Sequence, residues 1–553
     1  MKSSSSLLRR IIPLLISLVL LSCSSKKNEK SKVPEVRIKM TDGVELATDL
    51  YIPKGKRKYP TILIRTPYNK QAEAATAKGF RLFNIAVVVQ DVRGKNGSGG
   101  EFYPFANERS DGLETLRWIR KQPWSDGTVC GWGGSYVGVT QWAVADSLNL
   151  MFPLLTGGNL YDFVYPDSLF SLHSALSWGV INASNSENKI PKDKLSSMMS
   201  VLPLSAADDS AIKDVRFLDD WITHEKADEY WQALNFRNLG RAQMVSIAGW
   251  YDIFLKAQLD DFIAAEKRDS GNSNKIIIGP WCHGSQGEEN DYGGTKKTGN
   301  PAKLFLYAKN LLKGRKAQLP KPLRDSKYNL FVMERNEYVG SDIWPPSGTK
   351  ITPYYIGPEG YLSKLPLNSS GSLKYNYDPA DPYPSLGGTI LGDGVGPARQ
   401  NSNVTRTDQL VFEMKINDKP LTLLGPISAT LWVSSDAACT DFITGIQDVF
   451  PDGKIINIQE GGVRLEKTEK GVPRQTEISV WSTGYQLNPG HRLRVFIASS
   501  WHPRYNRNLN NCQPLATGYE PVTAAQSVYY GDKMSSSINL PIFEDQNSNK
   551  GNY

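Results

Sequence analysis

The sequence predicts two folded regions, an α/β region followed by an all-β region. From Val33 to Met151, runs of β-branched residues alternate with amphipathic stretches such as 111–120, whose apolar positions fall on one helical face. This alternation is typical of a mostly parallel sheet covered by helices. Beyond about residue 346, short alternating strands are separated by turn signals such as 451–453, which is typical of a β-sandwich.

The first 32 residues predict a leader and a tether ahead of the folded regions. Two arginines precede an apolar run, Ile11 to Leu21, which is too short to span a bilayer, and Cys23 follows directly after a small residue. This pattern is typical of a bacterial lipoprotein signal at 1–22, although an ordinary secretory peptide or a short membrane anchor would share parts of it. We expect acyl chains on Cys23 to hold the protein to a cell membrane, on its periplasmic or cell-surface side, through a polar tether at 23–32.

Composition and charge exclude several classes of partner. The formal net charge of +8 falls to +5 without the three cations of the leader, and no basic run is long enough to follow a nucleic-acid backbone. No pair among the cysteines after the leader, Cys130, Cys282, Cys439 and Cys512, has metal-ligand spacing. We therefore expect no nucleic acid, metal or cofactor. Cys439 and Cys512 could form a disulfide in an oxidising compartment, but free buried thiols are the expectation.

A serine framed by glycines is the candidate nucleophile. Two glycines precede Ser135, and a helix-like stretch follows at 139–145. A sharp strand-to-helix turn strains the serine and leaves no room for side chains beside it, which favours glycine there. The general pattern also has glycine two positions after the serine, where this chain has Val137, and the glycine comes at Gly138 instead. On its own, the pattern also fits an ordinary glycine-rich turn.

A serine nucleophile needs a base and an acid, and this chain offers both in the order serine, acid, histidine. His283 follows the apolar run 275–279 in a loop, where an open α/β sheet keeps its active site. Asp252 ends another apolar run, 244–251, and lies between Ser135 and His283 in sequence. A single aspartate at a strand end is usually a turn cap or an ion-pair partner, but its place in the ordered set makes Asp252 the predicted acid.

Three of the other histidines and the rival acid are expected to be structural. His224 lies in a charged helical stretch, whereas His491 and His502 lie in the all-β region. His173 stays open as a base, although no strand end presents it. Asp91 precedes the serine and has an arginine two positions further on, so we interpret it as structural.

An inserted cap separates two halves of the α/β domain. From 152 to 240 the pattern is helical and polar, with breaks at Pro, Ser and Lys residues. The α/β domain is then expected at 33–151 and 241–346, and the all-β domain at 347–553.

Several motifs resemble one family of serine hydrolases. The stretch 133–138, Gly-Gly-Ser-Tyr-Val-Gly, is similar to the G-x-S-Y-x-G signature of the family that includes cocaine esterase, glutaryl cephalosporin acylases, α-amino acid ester hydrolases and X-prolyl dipeptidyl aminopeptidases. That signature has its glycine at the later position, as this chain does. Further stretches agree in the family's order: 40–51, 65–68, 249–252, 279–284 and 501–504. The resemblance implies an α/β-hydrolase fold with an inserted helical cap and a C-terminal jelly roll.

The resemblance also implies roles that spacing does not show. Tyr68 matches the tyrosine whose hydroxyl forms half of the oxyanion hole, and the backbone N–H of Tyr136 would form the other half. Phe254 resembles the aromatic residue that cocaine esterase places against an aryl acyl group. Trp178, in the cap, is a candidate for the opposite wall of a substrate-binding pocket. Either residue could equally be part of the core.

The sequence therefore predicts a serine hydrolase that cleaves ester or amide acyl bonds of small substrates through an acyl-enzyme. Phe254 and Leu255 stand where the α-amino acid ester hydrolases have a Glu-Asp pair that holds the substrate's ammonium, so uncharged or anionic acyl groups are favoured. X-Pro dipeptidyl-peptidase or α-amino acid ester hydrolase activity stays open, with Asp162 or Asp167 of the cap as ammonium ligands. The non-enzymatic alternative is a surface glycan-binding lipoprotein.

Overall fold

The structure is a computed structural model that describes the folded regions and leaves out the leader. It describes residues 33–183, 190–212, 214–269, 271, 273–286, 289, 308, 310, 312 and 326–545. The predicted signal peptide, tether and lipidated Cys23 lie outside these residues. Within the described part of the chain, no helix combines the length and the apolar character needed to cross a membrane.

The α/β region is built, within the described residues, on a ten-stranded sheet. Its first eight strands are β1 (Glu35–Lys39), β2 (Glu45–Tyr51), β3 (Tyr59–Thr66), β4 (Ala86–Asp91), β5 (Ser125–Gly134), β6 (Leu150–Leu154), β7 (Gln243–Tyr251) and β8 (Lys275–Cys282). β9 (Gly284–Gln286) lies outside this sheet, which β10 (Tyr328–Val332) and β11 (Glu337–Ser341) complete. The order across the sheet is β1-β2-β4-β3-β5-β6-β7-β8-β10-β11, and the neighbours from β4 to β10 are parallel.

Helices follow the parallel strands and cover the sheet. They are α1 (Ala74–Leu82), α2 (Glu108–Arg120) and α3 (Tyr136–Trp142), then the cap helices α4 (Tyr161–Val164), α5 (Leu172–Ala183), α6 (Lys192–Met198), α7 (Arg216–Thr223) and α8 (Glu229–Ala233), and finally α9 (Leu255–Arg268). The central strands read as continuous apolar runs because both faces are covered, and residues 86–91 of β4 are buried throughout.

The helical insertion lies between β6 and β7. Residues 152–154 still belong to the sheet, because Phe152, Pro153 and Leu154 pair with β5 in parallel register. The cap therefore begins after Leu154, three residues later than the boundary expected from composition.

The described part of the C-terminal region is all β: it contains two antiparallel sheets and one further short strand that pairs in parallel with β9. Its strands are β12 (Thr349–Ile356), β13 (Leu362–Ser363), β14 (Gly371–Tyr377), β15 (Gly392–Val395), β16 (Gln409–Lys415), β17 (Leu421–Ser435), β18 (Thr440–Val449), β19 (Ile455–Leu465), β20 (Arg474–Leu487), β21 (Arg492–Ala498), β22 (Ala524–Tyr530) and β23 (Ser537–Phe543). One sheet contains β12, β13, β14, β17, β20, β22 and β23, and the other contains β16, β18, β19 and β21. The predicted α/β fold with an inserted cap and a C-terminal all-β domain is confirmed.

The expectation of free thiols at Cys439 and Cys512 is wrong, because the two residues form a disulfide. Cys439 directly precedes β18, and Cys512 lies in the long loop between β21 and β22. Hydrogen bonds fix this loop against β18: Asn510 pairs with Thr440 at 2.9 Å, and Asn508 donates to Asp441 at 2.8 Å. These contacts bring together two sulfurs that are 73 residues apart in sequence.

Candidate active site

The turn between β5 and α3 carries Ser135 at its tip. The backbone of Ser135 has φ 54° and ψ −131°, a conformation that L residues rarely adopt. A Cβ atom on Gly133 would lie 2.3 Å from Cγ1 of Val137, and one on Gly138 would lie 2.3 Å from Cγ2 of Thr156. Only glycine fits at either position. These two glycines therefore permit the strained turn that presents the hydroxyl group of Ser135 at its tip.

The structure brings the three predicted triad residues together. Nε2 of His283 lies 3.0 Å from Oγ of Ser135, and Nδ1 of His283 lies 2.9 Å from Oδ2 of Asp252. The side chain of Asp252 is fully buried, and its Oδ1 accepts a hydrogen bond from the backbone N–H of Phe254 at 2.9 Å. The serine can therefore pass its proton to an imidazole whose orientation and tautomer the carboxylate fixes.

The all-β domain holds the loop that presents His283. β9 begins at the next residue and pairs in parallel with β15, and the backbone N–H of Gly392 donates to the carbonyl of His283 at 3.3 Å. The backbones of these two strands approach so closely that a Cβ atom on Gly284 would lie 1.8 Å from the carbonyl oxygen of Gly392. Glycine is required at 284 for this reason.

The same domain also supports the strand that ends at Asp252. The side-chain amide of Gln459 donates to the carbonyl of Trp250 at 2.6 Å, and the hydroxyl of Tyr251 donates to the carbonyl of Asn457 at 3.1 Å. Gln459 and Asn457 belong to β19. The acid and the base of the triad are thus each placed by a contact with the C-terminal domain.

Tyr68 lies directly beside the serine, two residues after the end of β3. Its hydroxyl interacts with the side chain of Ser135 and with the backbone of Tyr136, and it accepts a hydrogen bond of 3.1 Å from Nε1 of Trp178. Burial raises the pKa of Tyr68, while these hydrogen bonds act in the opposite direction. The phenol therefore stays protonated at neutral pH and can donate to an oxygen bound beside Ser135.

A largely apolar pocket opens beside Ser135. It is lined by Phe105, Ser135, Tyr136, Phe163, Trp178, Ile253, Phe254, His283 and Leu391. Phe254 stacks on Phe163, with ring centroids 5.1 Å apart, and lies 5.5 Å from the His283 ring. Both predicted walls, Phe254 and Trp178, line this pocket. None of these described lining residues is a carboxylate or a permanent cation.

Sequence reasoning missed four pocket residues. Ile253 follows the triad acid directly, so its position alone could have identified it. Phe105 and Phe163 lie in aromatic-rich stretches without a local signal for a site. Leu391 comes from the all-β domain, far from the other lining residues in sequence.

The remaining histidines lie elsewhere. Nδ1 of His224 is 2.6 Å from Asp228, and Nδ1 of His491 is 2.9 Å from both carboxylate oxygens of Asp448. His173 lies on α5 and His502 in the all-β domain. Burial lowers the pKa of both, to about 4 for His502, so neither is charged at neutral pH.

The alternative acids are occupied by structural partners. Asp91 pairs with Lys70 at 3.4 Å. In the cap, Asp162 forms an ion pair with Arg237, and Asp167 accepts a hydrogen bond of 2.8 Å from the indole of Trp481. Among the residues that the structure covers, no group of three or more His, Cys, Asp or Glu side chains is placed to hold a metal ion.

The strained serine, the ordered triad and the strand order together define a serine hydrolase with the α/β-hydrolase fold. Residues 42–285 match the X-Pro dipeptidyl-peptidase (S15 family) model, and residues 323–539 match the X-Pro dipeptidyl-peptidase C-terminal non-catalytic domain. A cocaine esterase of Rhodococcus sp. (strain MB1 Bresler) is 32% identical to this chain, over 93% of it and 99% of that protein. The chain belongs to this family of serine hydrolases.

Two solved structures show the same fold. An aminopeptidase from the marine sediment archaeon Thaumarchaeota archaeon superposes with a TM-score of 0.79 at 22% identity, over 94% of this chain and 99% of that one. An α-amino acid ester hydrolase superposes with a TM-score of 0.77 at 21% identity, over 94% and 98%. The predicted family, fold and enzyme class are confirmed, which decides against the glycan-binding alternative.

Proposed function

We propose that the protein is an acyl esterase that cleaves esters of small, uncharged acyl groups through an acyl-enzyme on Ser135. The observation that carries this proposal is the hydrogen-bonded chain from Asp252 through His283 to Ser135, which ends at an apolar pocket. The similarity to a cocaine esterase along nearly the whole chain supports an ester as the substrate.

The geometry assigns each residue a role in acyl transfer. His283 takes the proton of Ser135 at Nε2 as Oγ attacks the ester carbonyl, and Asp252 stabilises the imidazolium that forms. The hydroxyl of Tyr68 and the backbone N–H of Tyr136 donate to the developing oxyanion. His283 then returns the proton to the leaving alkoxide. Water then gives a proton to the same imidazole as it attacks the acyl-enzyme, and His283 passes that proton to Oγ of Ser135 as the acid is released.

The lining of the pocket determines the preferred acyl group. A buried ammonium is costly unless a carboxylate pairs with it, and none of the described lining residues offers one outside the triad. The two candidate ligands of the cap already pair with other groups: Asp162 with Arg237, and Asp167 with Trp481. We therefore propose that acyl groups without a free α-amino group are preferred, which separates this protein from dipeptidyl-peptidases and amino acid ester hydrolases.

A comparison of matched substrates tests this proposal. We expect kcat/KM for a phenylacetyl ester to exceed that for the phenylglycyl ester with the same leaving group by at least about tenfold, because a factor of ten needs only about 1.4 kcal/mol and burying an unpaired ammonium costs more than that. A fluorophosphonate probe should label wild type at one serine, and Ser135→Ala is the control that should stay unlabelled. Equal or better hydrolysis of the phenylglycyl ester would overturn the proposed acyl preference.

We also propose that the enzyme is a lipoprotein anchored to a bacterial cell membrane through Cys23. Two observations support this: the leader sequence that ends at Cys23, and the disulfide between Cys439 and Cys512, a bond that persists in oxidising compartments outside the cytoplasm. Metabolic labelling with a fatty-acid probe should mark wild type, and Cys23→Ser should abolish both the label and recovery in the membrane fraction. Persistent labelling of Cys23→Ser would contradict the proposal.

A further inference from the structure

A residue of the helical cap contacts the oxyanion tyrosine directly. Nε1 of Trp178, on α5, donates a hydrogen bond of 3.1 Å to the hydroxyl oxygen of Tyr68. The triad and Tyr68 lie on the α/β domain, so this bond joins the insertion to the reacting centre. Trp178 lines the pocket, but this bond gives it a second contact, because the polar edge of its indole is directed at a group of the site.

The direction of a phenol proton is not fixed by the phenol itself. A hydroxyl group can rotate, and it carries one donor and acceptor lone pairs. A donor fixed on the oxygen occupies an acceptor position and leaves the proton to point away from it. Within a buried network, a hydrogen bond accepted by a hydroxyl also strengthens the one it donates. An oxyanion hole depends on such preorganisation, since its donors must be aimed before charge develops.

The indole of Trp178 is itself held firmly. Its ring stacks on that of Tyr136, with centroids 5.9 Å apart and planes 13° apart, and on that of Trp221 at 5.9 Å and 20°. The backbone carbonyl of Trp178 accepts a hydrogen bond of 2.8 Å from the side chain of Asn182, one turn further along α5. The side chain is buried. Stacking and burial therefore hold the ring in the orientation in which its N–H is directed at Tyr68.

We infer that Trp178 is a positioning residue that aims the hydroxyl of Tyr68 at the oxyanion, so that the cap completes the oxyanion hole. Trp178 acts through Tyr68 and donates nothing to the substrate oxygen. The inference rests on the proposed ester hydrolysis, because it concerns the transition state of that reaction. It adds a requirement: the cap must be packed against the α/β domain for the oxyanion hole to be preorganised.

The test compares the loss of the indole N–H in two backgrounds. Trp178→Phe keeps an aromatic ring against Tyr136, and replacing Trp178 with benzothienylalanine keeps the shape and removes only the N–H. With p-nitrophenyl acetate, whose acyl group is too small to need the aromatic wall, we expect either change to lower kcat about tenfold with KM little changed, a part of the 10²–10³-fold cost of losing an oxyanion donor. In the Tyr68→Phe background, the same changes should lower kcat less than about twofold, because no hydroxyl is left to aim.

The matched control is Trp231→Phe, which makes the same deletion in another indole of the cap. That indole donates its N–H to the backbone carbonyl of His224 at 2.6 Å, on the far side of Trp221 from Trp178 in the series of ring contacts, so kcat should stay near wild type. An equal loss in both backgrounds would overturn the inference, as would a change in KM alone, because either result would make Trp178 a wall or a core residue. Should Trp178→Phe not fold, the benzothienylalanine protein carries the test. Failure of the proposed function would look different: wild type would hydrolyse no ester.

Discussion

The hydroxyl group of Tyr136 donates a hydrogen bond of 2.6 Å to Oε1 of Glu108. The same hydroxyl accepts one from the backbone N–H of Phe105 at 3.1 Å, and Oε2 of Glu108 lies 2.8 Å from Nη1 of Arg65. All four residues are buried. The side chain of Tyr136 thus links the start of α3 to a buried ion pair. Its backbone N–H faces the site.

Removing Glu108 should be costly for stability. Glu108→Ala leaves the buried guanidinium of Arg65 with Asp111, 4.0 Å away, as its nearest carboxylate. Breaking a buried ion pair costs about 3–5 kcal/mol, and urea denaturation should show a loss of this size in the free energy of unfolding. Arg109→Ala is the control: its ion pair with Asp146 is partly exposed and should be worth less than about 1 kcal/mol. Equal losses in the two variants would contradict the expected role of burial.

The nucleophile is tested most directly by its own removal. Ser135→Ala deletes Oγ, so no acyl-enzyme forms, and steady-state kinetics should show kcat lower by about four orders of magnitude or more. The change removes one oxygen and leaves the backbone of the turn in place, so the thermal midpoint should move little. Activity above about a tenth of wild type would show that the serine has another role.

Tyr68→Phe should separate binding from catalysis. The hydroxyl donates to the oxyanion mainly in the transition state, so its loss should lower kcat by roughly two to three orders of magnitude and leave KM nearly unchanged. Initial rates over a range of substrate concentrations give both constants. A variant that raised KM without lowering kcat would make Tyr68 a wall of the pocket.

Thiol titration tests the cysteine assignments. Burial raises the pKa of Cys130 well above its ordinary value, and burial together with the nearby Asp252 raises that of Cys282 to about 12. At pH 8, a chain that begins at Ser24 should therefore show no thiol reactive toward a chromogenic disulfide reagent. It should show two in denaturant, and four after reduction, because Cys439 and Cys512 are paired. Four thiols without reduction would refute the disulfide.

The parts of the site that lie on local patterns could be predicted from the sequence. Ser135, Asp252 and His283 each follow a strand. In each case an apolar run with a glycine or proline near its end predicts where that strand ends. The parallel sheet fixes where such strands end, so three separate stretches of chain predict one cluster.

Contacts between residues that are far apart in sequence have no such local pattern and could not be predicted. Nothing near Cys439 indicates that a loop 73 residues away returns to it. Leu391 reaches the pocket because β15 pairs with β9, and β9 is too short to show an alternating pattern in the sequence. The bond from Trp178 to Tyr68 depends on how the cap sits on the sheet, which is decided by packing rather than by pattern.

The pairing of β9 with β15 makes activity depend on strands that come late in the chain. Ser135, Asp252 and His283 all precede β15 and β19 in sequence. Until these two strands are in place, the loop after β8 lacks the partner that positions its imidazole, and the strand that ends at Asp252 lacks its support. We expect a polypeptide without the all-β domain to be inert toward esters, so that hydrolysis begins only when both domains have folded together.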